Sequence, residues 1–64
     1  MPPEGSWIYI YRAHGTYEAT YKEPTGRWPL DWKVLRDCGG KVQKFDTSGE
    51  ARVYAANMGW KVLN

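Results

Sequence analysis

Residues 7–12 limit most strongly what this chain can fold into. In a β-strand successive side chains point to opposite faces of the sheet, and here three aromatic residues alternate with two isoleucines and an arginine. A strand of this sequence is apolar on both faces. One helix packed on a small sheet covers only one face, so the second apolar face is a candidate for function. Its aromatic row consists of Trp7, Tyr9 and Tyr11.

The chain length sets the domain organisation. A chain of 64 residues has room for one domain, and a domain of this size buries only about 60% of the surface of its unfolded chain. The hydrophobic content of 42% is enough for a folded domain. No apolar run approaches the ~20 residues of a membrane span, and the first residues lack the pattern of a signal peptide. We therefore predict a cytoplasmic protein with a flexible tail over residues 1–5 and one domain over residues 6–64.

Residues 6–22 have the pattern of a β-hairpin. The turn is predicted at His14 and Gly15, because Gly tolerates the positive φ angle of tight hairpin turns. Residues that are directly opposed in a hairpin share a face of the sheet. With a two-residue loop, one face holds Ile8, Ile10, Tyr17, Ala19 and Tyr21. The other face holds Trp7, Tyr9, Tyr11, Glu18, Thr20 and Lys22.

A second hairpin is predicted over residues 31–36 and 41–45. It follows a turn signal at residues 23–26, where Pro and Gly lie close together, and a segment that we expect to be irregular. The irregular segment covers residues 27–30, because Pro29 lacks the amide donor of a central strand.

The register of the second hairpin has two solutions. If the turn is centred on Cys38 and Gly39, cations of the two strands face each other, which destabilises the hairpin unless an anion is bound. If the turn is centred on Gly39 and Gly40, Arg36 faces Gln43 and the repulsion is absent, so we favour this register. Both solutions place the same three apolar residues on one face: Trp32, Val34 and Phe45.

A helix is predicted over residues 48–58. Thr47 and Glu50 have the spacing of a capping box, in which each side chain accepts a hydrogen bond from the backbone amide of the other residue. Gly59 is the expected left-handed residue after the helix. Residues 60–63 then form an apolar segment that adds an edge strand or folds under the helix. The apolar stripe of the helix consists of Ala51, Tyr54, Ala55 and Met58.

These elements predict an α+β fold, with a small antiparallel sheet of three to five strands and one C-terminal helix packed on one face. One face of each element must meet the others to form a single core. The predicted core consists of Ile8, Ile10, Tyr17, Ala19, Tyr21, Val34, Phe45, Ala51, Tyr54, Ala55 and Met58.

The sequence shows no catalytic or metal-binding pattern. His14 is the only histidine and Cys38 the only cysteine, so the chain cannot form an internal disulfide or a Cys-based zinc site. The seven acidic residues are scattered, without a pair that suggests general acid and base roles. The Gly39-Gly40 pair lacks the spacing of a phosphate loop. We therefore predict a binding module that is not an enzyme and holds neither a metal nor a cofactor.

Aromatic rings beside cations on an open sheet face are typical of single-stranded nucleic-acid binding, because bases stack on flat rings while cations hold the phosphates. The net charge of +2 is compatible with such a ligand without requiring it. The aromatic row is also compatible with two different roles: it forms a second half of the core, or it binds a protein, including a second copy of the chain. The predicted nucleic-acid contacts outside the row are Lys22, Lys33, Arg36, Lys41 and Lys44.

Residues 39–51 resemble the strand-to-helix junction of the amino-terminal, arm-type DNA-binding domains of phage tyrosine integrases and similar small phage domains. In those domains a Gly-Lys strand ends in an aromatic residue and a Thr-x-x-Glu-Ala box opens the helix. The resemblance implies that the sheet enters a DNA groove and that the basic second hairpin contacts the DNA. If the aromatic row is the binding surface, a small phage-type inhibitor or adaptor of a host protein is the alternative. The matching residues are Gly40, Lys41, Phe45, Thr47, Glu50 and Ala51.

Overall fold

The computed structural model describes residues 2–25 and 32–64. Within these ranges the order of elements is β1 (Trp7–Ala13), β2 (Thr16–Lys22), β3 (Lys33–Val34), α1 (Ser48–Asn57) and β4 (Lys61–Val62). The strands form one sheet in the order β3-β2-β1-β4. The predicted α+β class with one C-terminal helix is confirmed. The sheet is mixed and not purely antiparallel, because β4 runs parallel to β1. The segment predicted to be irregular, residues 27–30, lies outside the described residues.

The first hairpin has the predicted register. Arg12 lies opposite Tyr17 and Ala13 lies opposite Thr16. His14 and Gly15 form the turn with φ angles of 53° and 79°, and two positive φ angles are the requirement of a type I′ hairpin turn. The two predicted faces of this hairpin are therefore confirmed.

The core lies between α1 and the face of the sheet that contains Ile8 and Ile10. These two side chains are 1% and 4% exposed. The rings of Phe45 and Tyr54 meet edge to face with centroids 5.5 Å apart, a favoured geometry for aromatic pairs. The described residues of the buried cluster are Ile8, Ile10, Ala19, Leu35, Phe45, Ala51, Ala55 and Trp60, with Tyr17, Tyr21, Tyr54, Met58 and Val62 packed against them.

The second hairpin has neither of the two predicted registers. Arg36 lies opposite Val42, so the loop between Asp37 and Lys41 contains three residues and not two. Gly40 ends this loop with a φ angle of 82°, the left-handed residue that three-residue hairpin loops need. The Asp37 carboxylate accepts hydrogen bonds from the amides of Gly39 and Lys41, at 2.9 and 3.0 Å. These hydrogen bonds stabilise the three-residue loop.

The odd loop reverses which residues of the second hairpin face the core. The Leu35 amide donates to the Ala19 carbonyl at 2.9 Å, and Leu35 is buried. Val34 pairs with Thr20 and is exposed. The prediction of Val34 as a core residue is therefore wrong. The predicted common face of Trp32, Val34 and Phe45 is also wrong, since Phe45 is buried on the helix side of the sheet.

The helix begins and ends close to the predicted residues. The Glu50 amide donates to the Thr47 hydroxyl at 3.1 Å, which confirms the N-cap. The Glu50 carboxylate accepts from the Asp46 amide, one residue earlier than in the predicted capping box. Met58 caps the helix, and Gly59 follows with a φ angle of 77°. This one helix of the described residues is not long and apolar enough to cross a membrane.

Residues 2–5 are packed against the domain, whereas the sequence predicts a flexible tail over residues 1–5. The Trp60 indole N–H donates to the Pro2 carbonyl at 3.1 Å, and the Gly5 amide donates to the Gly59 carbonyl at 2.9 Å. The Ser6 side chain is fully buried. The start of the chain therefore closes the end of the core around Trp60.

Phe45→Ala should lower the free energy of unfolding by about 3 to 5 kcal/mol, because it removes a large buried ring and leaves a cavity beside Tyr54. Denaturant unfolding measures this loss. The matched control is Val53→Ala, at a helix position that is 61% exposed, with an expected change within about 0.5 kcal/mol. A loss below about 1 kcal/mol for Phe45→Ala would place this ring outside the core.

Thr47→Ala should lower the free energy of unfolding by about 1 kcal/mol, because the Glu50 amide loses its hydroxyl acceptor. In a domain of this size the melting temperature should fall by about 4 to 8 °C. The control is Thr25→Ala, at an exposed turn position, which should leave the melting temperature unchanged. Equal melting temperatures for the two variants would show that the cap does not stabilise the helix.

Candidate nucleic-acid interface

The face of the sheet opposite α1 carries three rows of side chains that run across the strands. In the first row, Trp7 lies between Lys22 of β2 and Lys61 of β4. In the second, Tyr9 lies beside Thr20, which pairs with Val34 of β3. In the third, Tyr11 lies opposite Glu18. We call this surface the aromatic face and define it by Trp7, Tyr9, Tyr11, Glu18, Thr20, Lys22, Trp32, Val34, Lys44, Lys61 and Leu63.

The first row places a lysine in each of the two strands that flank Trp7. The Lys61 ammonium lies 4.9 Å from the centroid of the Trp7 ring, within the range of a cation–π interaction. Lys22 and Trp7 border a cavity of about 170 Å³ together with Trp32 and Leu63. Lysines of both neighbouring strands therefore lie beside Trp7, and the Lys22 ammonium donates to the Glu23 carbonyl at 3.4 Å.

The second row forms an open, largely apolar cleft. Tyr9 is 47% exposed and borders a cavity of about 290 Å³ with Thr20, Trp32 and Leu63. Both cavities are smaller than the ~300–1,000 Å³ of typical small-molecule pockets. The planes of the Tyr9 and Tyr11 rings differ by 22°, with centroids 6.5 Å apart. This cleft suits a flat group that lies across the sheet better than an enclosed cofactor.

The third row contains a carboxylate with two partners. Glu18 is only 8% exposed. Its Oε1 accepts from the Tyr11 hydroxyl at 3.4 Å, and its Oε2 lies 3.5 Å from the Lys44 ammonium. Burial, the negative charge of Glu18 and the hydrogen bond to Glu18 all raise the pKa of Tyr11, in that order of size. Tyr11 is therefore a neutral hydrogen-bond donor at physiological pH.

The structure distributes the predicted nucleic-acid contacts over the two faces of the sheet and the second turn. Lys22 and Lys44 lie on the aromatic face with the predicted row of Trp7, Tyr9 and Tyr11. Lys33 pairs with Tyr21 and so shares the helix side of the sheet. Arg36 and Lys41 lie at the second turn, where the Arg36 guanidinium donates to the Gly40 carbonyl at 3.0 Å.

Sequence reasoning missed Lys61 and Leu63 as members of this surface. The sequence predicts only that residues 60–63 form an apolar segment, as an edge strand or under the helix. The parallel pairing of Lys61 with Trp7 carries no turn signal, because parallel strands are joined by long connections. The available signal was the alternation of side-chain direction along residues 60–63. If Trp60 is buried in the core, Lys61 must lie on the opposite face of the sheet.

The described residues contain no group of three or more His, Cys, Asp or Glu side chains that could hold a metal ion. Cys38 is an exposed free thiol in the second turn. The chemistry that the described part of the aromatic face offers is therefore ring stacking, hydrogen bonding and charge.

Comparison with known proteins assigns no family to this chain. No family model matches it, and no curated protein or solved structure is significantly similar to it. The function is therefore inferred from the residues and their geometry.

Glu18→Gln should lower the pKa of Tyr11 towards its ordinary value of 10.0. The substitution removes the carboxylate charge and leaves at most a neutral hydrogen bond to Tyr11, which is weaker than the bond to a carboxylate, while the burial of the ring remains. Ultraviolet absorbance of tyrosinate, taken as the difference between each protein and its Tyr11→Phe counterpart, measures this pKa. Glu23→Gln removes the same charge at the end of β2 and should leave the pKa of Tyr11 unchanged. An unchanged pKa in Glu18→Gln would show that Glu18 does not contact Tyr11 in solution.

Proposed function

We propose that this chain is a non-enzymatic module that binds single-stranded nucleic acid on the aromatic face. The observation that carries the proposal is the position of Trp7 between Lys22 and Lys61 on a sheet face that α1 does not cover. A base can stack on the indole while the two ammonium groups contact the flanking phosphates. Tyr9 and Tyr11 continue the stacking surface along β1.

The energies favour exchange of the Lys61 contact for a base. An exposed cation–π contact contributes about 0.5 to 1 kcal/mol, whereas stacking of a base on an aromatic side chain contributes about 1 to 3 kcal/mol. Lys61 is exposed, so its ammonium can leave the face of the Trp7 ring and still reach a phosphate beside it. Stacking of a base on Trp7 therefore contributes more free energy to binding than the loss of the Lys61 contact costs.

The charge of the aromatic face supports a polyanionic ligand. Among its described residues it carries Lys22, Lys44 and Lys61 against a single carboxylate, Glu18, which is paired with Lys44. Lysines near a nucleic acid release condensed counterions when they contact phosphates, which makes the affinity depend on salt. The rings of this face, of which Tyr9 is exposed and Trp7 and Tyr11 are half-buried, also favour unpaired bases, because the bases of a duplex present only their edges.

Duplex DNA is the form of nucleic acid that the resemblance to integrase arm-type domains favours. In that case the basic second hairpin, with Arg36 and Lys41 at its turn, would contact the phosphates, and Lys33 would join them from the helix side of the sheet. The aromatic row would then lie outside the main contact. Single-stranded and duplex binding therefore predict different effects for Lys33 and Lys61.

A protein partner is the second candidate, either a host protein bound by a small phage-type adaptor or a second copy of this chain. The observation that favours it is the exposure of Val34 and Leu63, which are 36% and 45% exposed on the same face as Trp32. Exposed apolar side chains that lie together mark interaction surfaces, and Trp and Tyr are common binding hot spots. Such a contact would use the apolar cleft and not the lysines.

Trp7→Ala should weaken binding of a short single-stranded oligonucleotide by about 5- to 150-fold, the range that corresponds to the loss of one stacked base. Lys22→Gln and Lys61→Gln should each reduce the slope of log affinity against log salt concentration by about 0.7. Fluorescence anisotropy of a labelled oligonucleotide at several salt concentrations measures both quantities.

The matched control is Lys33→Gln, which removes the same charge from the opposite face and should change the salt slope least. If Lys33→Gln reduces the salt slope as much as Lys61→Gln does, and duplex binds more tightly than the single strand, the basic second hairpin and not the aromatic face is the binding surface. No binding of either oligonucleotide at low salt would overturn nucleic-acid binding altogether and leave the protein contact as the candidate.

A further inference from the structure

Phosphate binding and stacking do not account for Glu18. A carboxylate repels phosphates, yet this one lies in the third row of a face that otherwise carries lysines, and it is 8% exposed. Burial of a charged group is costly unless the group is paired. Lys44 balances its charge, so the face keeps a strong hydrogen-bond acceptor without becoming acidic there.

The contacts of Glu18 leave part of its capacity as an acceptor unused. The distances from its two oxygens to the Tyr11 hydroxyl and to the Lys44 ammonium are 3.4 and 3.5 Å, longer than the ~2.5–2.9 Å of short charge-assisted hydrogen bonds. An ionised carboxylate has about four lone-pair sites. The Glu18 side chain is 11% exposed, so a donor group can approach the carboxylate only from its exposed side, where the remaining lone-pair sites can accept up to two hydrogen bonds.

Tyr11 lies directly opposite Glu18 in the neighbouring strand, with side chains on the same face. Opposed Cβ atoms are about 4.5 to 5.5 Å apart. A base that stacks on the Tyr11 ring and extends towards β2 therefore brings its edge to the carboxylate.

We infer that Glu18 selects guanine by accepting hydrogen bonds from the edge of a base stacked on Tyr11. This inference rests on the proposed binding of single strands. Guanine carries two adjacent donors, N1–H and the exocyclic N2 amino group, which match the two oxygens of one carboxylate. Adenine and cytosine carry a ring-nitrogen acceptor beside their amino group. Uracil and thymine have a single N–H between two carbonyls. In each of these bases an acceptor atom would face a carboxylate oxygen, which is itself an acceptor.

The first and second rows offer no comparable selection. The Trp7 row presents lysines to the ligand, and the Thr20 hydroxyl of the second row both donates and accepts. The two ends of the aromatic face therefore differ in chemistry: the end at Trp7 binds phosphates and the end at Tyr11 selects guanine. The two ends are separated by about 13 Å, four residues along a strand.

The test uses oligothymidylates of about eight residues, within the site sizes of single-strand binding modules, with one central position varied. The wild-type chain should bind the guanine oligonucleotide about tenfold more tightly than the oligonucleotide with hypoxanthine, which lacks only the N2 amino group, as expected for the loss of one charge-assisted hydrogen bond. Adenine and cytosine should bind no better than hypoxanthine. Equal affinity for guanine and hypoxanthine would overturn the inference, and this comparison needs no variant.

Glu18→Gln should reduce the preference for guanine over hypoxanthine to less than about twofold, because the preference is a ratio of two affinities measured on the same variant. Glu23→Gln is the matched control and should keep the full preference. If the all-thymine oligonucleotide binds and no base is preferred, only the selection of guanine fails. If no oligonucleotide binds, the proposed function itself fails and the inference fails with it.

Discussion

The packing of α1 against Ile8 and Ile10 is the contact on which the rest of the structure depends. A chain of 64 residues can build one core, and this contact decides which face of the sheet enters it. Because side chains alternate along a strand, burial of Ile8 and Ile10 places Trp7, Tyr9 and Tyr11 on the opposite face. The position of the aromatic face is thus a direct consequence of the core, and a slip of one residue in β1 would exchange the two faces of this strand.

The two ends of the chain extend this arrangement to the edge of the sheet. Trp60 is 6% exposed and donates to the Pro2 carbonyl, and its burial places Lys61 beside Trp7 on the aromatic face. The Asn64 side chain then continues the edge: its Oδ1 accepts from the Ile10 amide at 3.1 Å, and its Nδ2 donates to the Ile10 carbonyl at 2.6 Å. An amide side chain here replaces the backbone of a further strand residue, which shields an otherwise open sheet edge.

The sequence was sufficient where a local signal is compatible with one geometry. It was insufficient where a turn is compatible with several loop lengths, or where contacts between distant residues decide. The His14-Gly15 turn and the Thr47 cap are local, and they predict the first hairpin, the helix and the position of Trp7 and Lys22 on one face. The predicted length of the second turn is wrong because the Asp37 carboxylate stabilises a three-residue loop. This loop moves Val34 out of the core and Leu35 into it. For Lys61, the alternation of side chains after Trp60 indicates a face, but no turn signal predicts the parallel pairing with Trp7.

The most direct test of the binding surface is the response of the indole N–H signals of Trp7, Trp32 and Trp60 in an NMR titration with a single-stranded oligonucleotide. Binding on the aromatic face predicts that the signals of Trp7 and Trp32, both on that face, shift progressively. The signal of Trp60, buried and bonded to Pro2, should stay in place as an internal control. Shifts confined to backbone amides of the second hairpin, or no shift of the Trp7 signal at saturation, would contradict the claim that the face of the sheet opposite α1 is the binding surface.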